Sequence, residues 1–210
     1  MAGGQLTSFE HILLGMICAA PSSGYDLKRI FAATPMGIYQ PSSGALYPAL
    51  RRLELKGLVR AQTSPGRTGE PARASSPARR RRVYEPTQTG RAAHTGWLRT
   101  PVEQATVSRD LGLHLMRFAM MEYLFPREEV LTFLQNLTDA LAAFTAELER
   151  YTAATDLSDS HHPRLALDHG LAVHRASLRW AEHAIAALSA APIPAPEPAG
   201  SVLPAGARSE

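Results

Sequence analysis

Three short helices are predicted near the start of the chain, because apolar residues recur there every three or four positions. The first covers residues 8–20 with a cap at Ser8 or Thr7, and the second covers residues 23–33 with a cap at Ser22 or Ser23. The third runs from Ser42 or Ser43 to Gly57. Proline residues separate them, and proline ends a helix because it lacks an amide hydrogen. In the third helix the leucines are expected to face inward (Leu46, Leu50, Leu53) and the basic residues outward (Arg51, Arg52, Lys56).

A β-hairpin is predicted after the third helix. Leu58 begins a short strand, residues 63–82 are expected to form a mobile loop rich in Pro, Gly, Ser and Arg, and Val83 and Tyr84 return as a second strand. Thr87 then caps a fourth helix that runs through Leu98. Three helices followed by such a hairpin are typical of a winged helix-turn-helix, whose third helix fits the major groove of DNA.

The second half of the chain is predicted to be helical, with one helix from Pro101 to near Phe125 and a long helix over residues 127–153. Apolar residues alternate by four and three in the long helix and again in a last helix, between Leu167 and Leu188. The two seams predict an antiparallel hairpin. Its unmatched apolar surface is expected to pack on a second copy of the chain, at Leu137, Leu141, Leu171, Leu178 and Ile185. The alternative is that the seams pack only on each other and on residues 102–125.

The predicted fold is therefore mainly α. An N-terminal winged helix-turn-helix with a small β-hairpin wing is followed by a C-terminal helical hairpin for dimerisation. We expect a DNA-binding domain over residues 1–100, a helical dimerisation and effector module over residues 101–190, and a disordered tail rich in proline and alanine over residues 191–210.

The net charge of +3 conceals a marked asymmetry. Residues 1–100 hold 14 Lys and Arg against 5 Asp and Glu, a charge of +9, whereas residues 101–210 hold 8 against 14, a charge of −6. A basic half joined to an acidic half indicates that only the first half meets a polyanion. Charge alone leaves open a basic surface without such a partner.

The candidate DNA contacts lie on the second and third helices. Ser42, Ser43 and Gly44 are small enough for close approach, and the backbone amides at that helix end bind phosphate. Tyr47 is expected to reach a base edge or a phosphate, and Arg51 a phosphate or a guanine. The alternatives are helix capping for the serines and core packing for Tyr47. On the second helix, Tyr25 and Lys28 complete the expected contacts.

Four adjacent arginines, Arg79, Arg80, Arg81 and Arg82, are the densest charge in the chain. Such a run beside a wing favours DNA contact, since arginine enters narrow minor grooves where the negative potential is strongest. The alternative is a solvated charge run without a function.

The first half resembles the PadR family of bacterial transcriptional regulators over residues 10–98. The resemblance rests on the strings ILLGMICAAPSSGYDLKRIF, PSSGALYPALRRLELKGLV and RRVYEPTQTGR, and the second half is similar to the helical module of longer members. It implies a homodimer on a palindromic operator, usually a repressor, released by a small aromatic molecule. The wing of this chain is longer and richer in arginine than is usual in the family.

Other chemistries find little support in the sequence. The single cysteine, Cys18, excludes an internal disulfide framework, and no phosphate loop, nucleophile elbow or paired-carboxylate motif occurs. The histidines of the second half lack the spacing of a shared metal site. We therefore expect no catalytic residue, metal or cofactor. Trp97 and Trp180 are candidates for an effector pocket, because aromatic faces bind flat ligands; the alternative is ordinary packing.

A cytoplasmic protein without a secretory signal or membrane span is expected, because no apolar run approaches about 18 residues. The leading hypothesis is an operator-binding repressor that binds double-stranded DNA as a homodimer. A winged-helix adaptor that binds RNA or protein, and a helical enzyme that uses the histidines, are the competing hypotheses.

Overall fold

The computed structural model describes residues 5–33, 43–64, 81–122, 124–156 and 160–190. Its Cα positions divide into two compact units, with the boundary between Trp97 and Leu98. The first contains, in chain order, α1 (Ser8–Ala19), β1 (Ser22–Ser23), α2 (Gly24–Ala33), α3 (Ser43–Leu55), β2 (Val59–Ser64), β3 (Arg81–Pro86) and α4 (Gln88–Leu98, whose last residue begins the second unit). The second adds α5 (Gln104–Met121), α6 (Arg127–Ala154) and α7 (His161–Ala190). The predicted mainly α architecture with a hairpin wing is confirmed.

Local capping explains where the N-terminal helices begin. Thr7 caps α1, with its side chain accepting from the amide of Glu10, while the carboxylate of Glu10 accepts from the amide of Thr7 at 2.8 Å. Ser23 and Asp26 form the same reciprocal pair at the start of α2. The hydroxyl of Thr87 accepts from the amide of Gly90 at 2.9 Å and so caps α4, as predicted.

A glycine turn ends α3. Gly57 has a φ of +67°, and the amides of Gly57 and Leu58 donate to the carbonyls of Glu54 and Leu53. This is a Schellman motif, in which the left-handed residue is cheapest as glycine. The turn points the chain directly into β2.

The sheet has three strands in the order β1-β3-β2, all antiparallel. The sequence predicts only the hairpin, with Ser22 or Ser23 as a helix cap, whereas in the structure these two serines form a third strand and pair with Tyr84 and Val83. The loop predicted over residues 63–82 was too long, since Ser64 pairs with Arg81 at the end of the ladder. The middle of that predicted loop lies outside the described residues.

The core of the first unit is formed by the inward faces of its helices. Its fully buried side chains come from α1, α2 and α3: Ile12, Leu13, Leu14, Ile17, Leu27, Leu46, Leu50 and Leu53. The three leucines predicted to face inward from the third helix are among them. This packing leaves the other side of α3 free to face outward.

The second unit contains an antiparallel helical pair. The ring of Phe144 on α6 packs against His174 on α7, with centroids 4.6 Å apart. Leu148, later on α6, approaches Gly170, earlier on α7. The two helices therefore run in opposite directions. The prediction of an antiparallel helical hairpin is confirmed.

Helix α5 begins at Gln104 rather than at the predicted Pro101. Asp110 interrupts it with non-helical backbone angles (φ −130°, ψ 34°).

A buried arginine lies within the second unit. Arg117 on α5 donates to the backbone carbonyls of Leu98 and Thr100, and its guanidinium lies 5.0 Å from the ring centroid of Phe133. Its Nη1 also lies 3.3 Å from Nδ1 of His114. Burial, and secondarily Arg117, lowers the pKa of His114 to about 4. His114 is therefore neutral at neutral pH, and its Nδ1 accepts from Arg117.

No helix in the described part of the chain is long and apolar enough to cross a membrane. The predicted disordered tail, residues 191–210, lies outside the described residues.

Candidate nucleic-acid interface

The outward side of α3 forms the centre of the candidate interface. Gly44, Tyr47 and Arg51 are all exposed, on the side opposite the buried leucines. Arg51 takes no part in the ion pairs found within the described ranges. An exposed helix face with one small, one aromatic and one basic residue fits the width and chemistry of a major groove.

The Tyr47 side chain is not a core residue. It is 53% exposed, which excludes the alternative that it packs in the interior. One edge of its ring nevertheless rests on the first residue of α2, because a Cβ added to Gly24 would lie 2.7 Å from Cε1 of Tyr47. Tyr47 is thus held from one side and open on the other.

Helix α2 places two of the expected contacts on the surface. Tyr25 is 66% exposed, and Lys28 is exposed one turn further along. The helix start is fixed by Asp26, whose carboxylate accepts from both the amide and the hydroxyl of Ser23. Both predicted contact residues therefore stand on a well-anchored helix.

The arginine run is only partly described. Arg79 and Arg80, like Ser42, lie outside the described residues, and the side chains of Ser43 and Arg81 also lie outside them. Arg82 is described, and it donates two hydrogen bonds to the carboxylate of Glu54 on α3, at 2.6 and 2.7 Å. Contrary to the expectation of a mobile loop, Arg82 belongs to β3 and ties the wing to α3.

Tyr84 lies beneath this ion pair. Its side chain is buried, and the guanidinium of Arg82 lies 5.6 Å from its ring centroid. Burial raises the pKa of Tyr84, and Arg82 opposes that rise, while Glu54 and Tyr47 add to it. Charged and phenolic groups of α3 and β3 therefore lie close together beside the candidate interface.

Three acidic residues that the sequence did not single out organise the basic side chains. Glu10, only 2% exposed, accepts from Nε of Arg52 at 2.5 Å, while Glu54 binds Arg82 and Glu85 binds Arg60. Burial raises the pKa of Glu10, but the hydrogen bonds from Arg52 and from the amide of Thr7 lower it by more. The pKa of Glu10 is therefore lowered overall. These partners lie 25 to 42 positions apart in the chain, beyond any local pattern.

The predicted dimer residues divide into two groups. Leu137, Leu141 and Leu171 are already buried within one chain, so they are core residues of the helical unit rather than exposed contacts. Leu178 and Ile185 are half-buried on α7.

The two predicted effector tryptophans are each half-buried against an aromatic partner. Trp97 stacks on His11 with centroids 4.7 Å apart, and Trp180 meets Phe118 edge to face at 5.6 Å. A cavity of about 330 Å³ exists in the second unit, lined by Leu98, Arg99, Thr100, Pro101, Val102, Met121, Glu128, Glu129, Thr132, Phe133 and Asn136. Trp180 does not line this cavity, so the sequence analysis did not predict the cavity.

No group of three or more metal-ligating side chains occurs among the residues that the structure describes. Cys18 is half-buried, and burial raises the pKa of its thiol to about 11.

The exposed outer face of α3, and a wing that an ion pair joins to α3, together define a winged helix-turn-helix DNA-binding protein. Residues 13–95 match the model of the transcriptional regulator PadR-like family, and residues 115–189 match the model named virulence activator alpha C-term. The chain therefore carries a PadR-like transcriptional-regulator domain over residues 13–95, followed by this second module over residues 115–189.

Several solved structures are similar to the chain. PadR of Bacillus subtilis in complex with operator DNA is 19% identical, covers 85% of this chain and 98% of its own, and gives a TM-score of 0.37. The PadR-like regulator BC1756 of Bacillus cereus is 21% identical, with coverages of 90% and 99% and a TM-score of 0.37. B. subtilis PadR in complex with p-coumaric acid is 17% identical, with coverages of 87% and 99% and a TM-score of 0.38. No curated protein matches the chain.

Proposed function

We propose that the protein is a homodimeric repressor that binds a palindromic operator through α3. The observation that carries this proposal is the outward face of α3, where Gly44, Tyr47 and Arg51 are exposed while its leucines fill the core. Base edges in the major groove differ for all four base pairs, so a helix face of this kind reads sequence.

The other contacts anchor the helix rather than read bases. In the proposed complex, Lys28, Tyr25 and the first-turn amides near Ser42 and Ser43 bind backbone phosphates, which fixes register without sequence information. The arginines of the wing, Arg79 to Arg82, lie along the flanking minor groove. Since Arg82 already binds Glu54, its phosphate contact competes with that ion pair.

Dimerisation is proposed to involve α7. Leu165 and Val173 on this helix are 60% and 41% exposed, so two large apolar side chains lie uncovered on a helix that otherwise packs on α6. We propose that a second copy covers Leu165 and Val173, and that it also reaches Leu178 and Ile185, which are only half-buried on the face of α7 that holds the buried Leu171 and Ala181. Two copies would place two reading helices on half-sites one helical turn apart.

Release by a small aromatic ligand is proposed at either half-buried tryptophan, Trp97 or Trp180, each within its own unit, because an aromatic ring can stack on a flat molecule. The probe is p-coumaric acid added to the protein–operator complex. Release of the DNA together with quenched tryptophan fluorescence supports this step. Unchanged binding and fluorescence at millimolar ligand would overturn it.

The test of the proposed function is footprinting of the purified full chain on the promoter region of its own gene, followed by competition. Protection of an inverted repeat, competed by the same duplex but not by a scrambled duplex or an RNA of the same sequence, supports a sequence-specific DNA regulator. Equal competition by RNA would favour the adaptor function. In vitro transcription from the protected promoter then separates repression from activation.

A further inference from the structure

The contact between Gly24 and Tyr47 joins the two helices of the helix-turn-helix. Gly24 is the buried first residue of α2, and Tyr47 lies in the second turn of α3. A Cβ built on Gly24 would meet Cε1, Cζ and Cδ1 of the Tyr47 ring at 2.7, 3.3 and 3.4 Å. Real Cβ atoms essentially never come within 3.0 Å of a ring carbon, so any residue larger than glycine would displace the ring.

Backbone conformation does not explain the glycine. Gly57 is the glycine with a positive φ among the described residues, so Gly24 has a backbone that alanine also adopts. What requires glycine at this position is the close approach of the aromatic ring.

The surface beneath the ring is fixed. The residue before Gly24, Ser23, bonds with Asp26 through both its amide and its hydroxyl, and it pairs with Val83 in the sheet. The outer side of Tyr47 remains half exposed. The side chain of an exposed tyrosine can occupy several staggered χ1 rotamers. Contact of the ring with a fixed surface on one side reduces the number of rotamers that remain available.

We propose that Gly24 is a positioning residue for sequence recognition. Its missing side chain lets the Tyr47 ring rest on α2, so that the Tyr47 phenol meets the operator in one orientation. The inference rests on the proposed DNA-binding function and adds a determinant of specificity that lies outside the reading helix.

The first experiment measures the ring without DNA. The full chain is labelled with 3-fluorotyrosine, and the ¹⁹F resonance of Tyr47 is assigned by its disappearance in Tyr47→Phe. Gly24→Ala is expected to shift or broaden this resonance. The matched control is Gly96→Ala, because a Cβ at Gly96 meets nothing within 4 Å. An unchanged Tyr47 resonance in Gly24→Ala would overturn the proposal whatever the DNA results are.

The second experiment is a double-mutant cycle on operator and scrambled duplexes. Gly24→Ala is expected to weaken operator binding roughly tenfold, the scale of a single base-specific hydrogen-bonded pair, with little change on scrambled DNA. In the Tyr47→Ala background the same change should cost less than about twofold, because the ring is gone. Equal decreases in both backgrounds would show that Gly24 acts on the fold alone. A wild-type chain without operator preference, but with a displaced Tyr47 resonance in Gly24→Ala, would refute the DNA-binding function and leave the ring contact standing.

Discussion

The two units of this protein use their side chains in different ways. In the first unit, individual residues make specific long-range contacts, such as Glu10 with Arg52 and Glu54 with Arg82. In the second, long helices pack along repeated apolar seams, and the exposed ion pair of Arg175 with Glu149 links neighbouring helices. A surface that reads DNA requires defined positions for a few groups, whereas a helical pair requires mainly a continuous apolar stripe.

The difference is clearest at the glycines. In the first unit, Gly24, Gly57 and Gly90 each have their own reason to be glycine, namely a ring contact, a positive φ and a backbone approach. In the second, Gly170 leaves ordinary van der Waals space, with Leu148 3.8 Å from an added Cβ. Substitution is therefore expected to be far more costly at Gly24, Gly57 and Gly90 than at Gly170.

The largest effect is expected at Gly90 in α4. A Cβ there would lie 1.9 Å from the carbonyl oxygen of Leu58, so Gly90→Ala should destabilise the first unit by about 3 kcal/mol or more, or prevent folding. Thermal unfolding followed by circular dichroism measures it. Gly96→Ala in the same helix is the control and should raise stability by roughly 0.5–1 kcal/mol. Equal stabilities for the two variants would contradict the packing described.

One buried histidine in each unit predicts a decrease of stability in acid. Burial, with His11 as a second cause, lowers the pKa of His94 to about 4, and the pKa of His114 is lowered equally far. The unfolded chain takes up these protons near pH 6.5 and the folded chain only near pH 4. The free energy of unfolding is therefore highest above pH 6.5, where both rings are neutral. It decreases as the pH falls toward 4, by up to about 3 kcal/mol for each histidine.

Unfolding curves between pH 4 and 8 test this for His94→Gln and His114→Gln. Each variant should lose part of the pH dependence, while replacement of the exposed His161 should leave it unchanged. If the pH dependence of both variants equals that of the parent protein, the two rings are not the source of it.

Assembly separates the seam residues from the residues that face a partner. Leu165→Glu combined with Val173→Glu should give folded monomers with an operator affinity at least about 100-fold lower, because two half-sites must be bound together. Leu171→Asp should instead unfold the helical unit, since Leu171 is buried within one chain. Analytical ultracentrifugation and melting curves distinguish the two results. A dimer that survives the double replacement would exclude this side of α7 as the interface.

The elements that the sequence predicted well are those set by local chemistry. Thr7, Gly57 and Thr87 start or end helices through bonds to residues within a few positions, and the chain carries the corresponding motifs openly. The β1 strand was missed because two serines suit a helix cap equally well.

Contacts between distant residues could not be predicted in this way. The pairing of Arg82 with Glu54 depends on strand register and on the angle of α3, neither of which periodicity specifies. The heptad pattern predicted the helical pair, yet it did not distinguish Leu137 and Leu141, which one chain buries, from residues that face outward. A repeated apolar stripe looks the same whichever helix covers it.

A smaller effect is expected from the arginine run. Replacement of Arg79, Arg80, Arg81 and Arg82 by serine should reduce the log–log salt slope of DNA binding by about 0.9 for each phosphate that is no longer neutralised. Stability should change by less than about 1 kcal/mol, because Arg82 is exposed and its ion pair with Glu54 lies at the surface. Replacing Arg150, Arg164, Arg175 and Arg179 in the helical unit alters the net charge equally and serves as the control. Identical salt slopes for the arginine-run variant and the parent would mean that this run does not contact DNA.

The most direct test of the account is the operator affinity of Arg51→Ala, because Arg51 is exposed on α3 and has no role in the core. Binding to the footprinted operator and to a scrambled duplex is measured by fluorescence anisotropy, with Arg150→Ala as a control of equal charge. If α3 reads the major groove, operator affinity should fall about 5- to 150-fold, the range of one bidentate pairing with a base, while affinity for the scrambled duplex falls only slightly. Equal decreases on both duplexes, or no greater decrease than in Arg150→Ala, would contradict the claim that Arg51 on α3 reads the sequence.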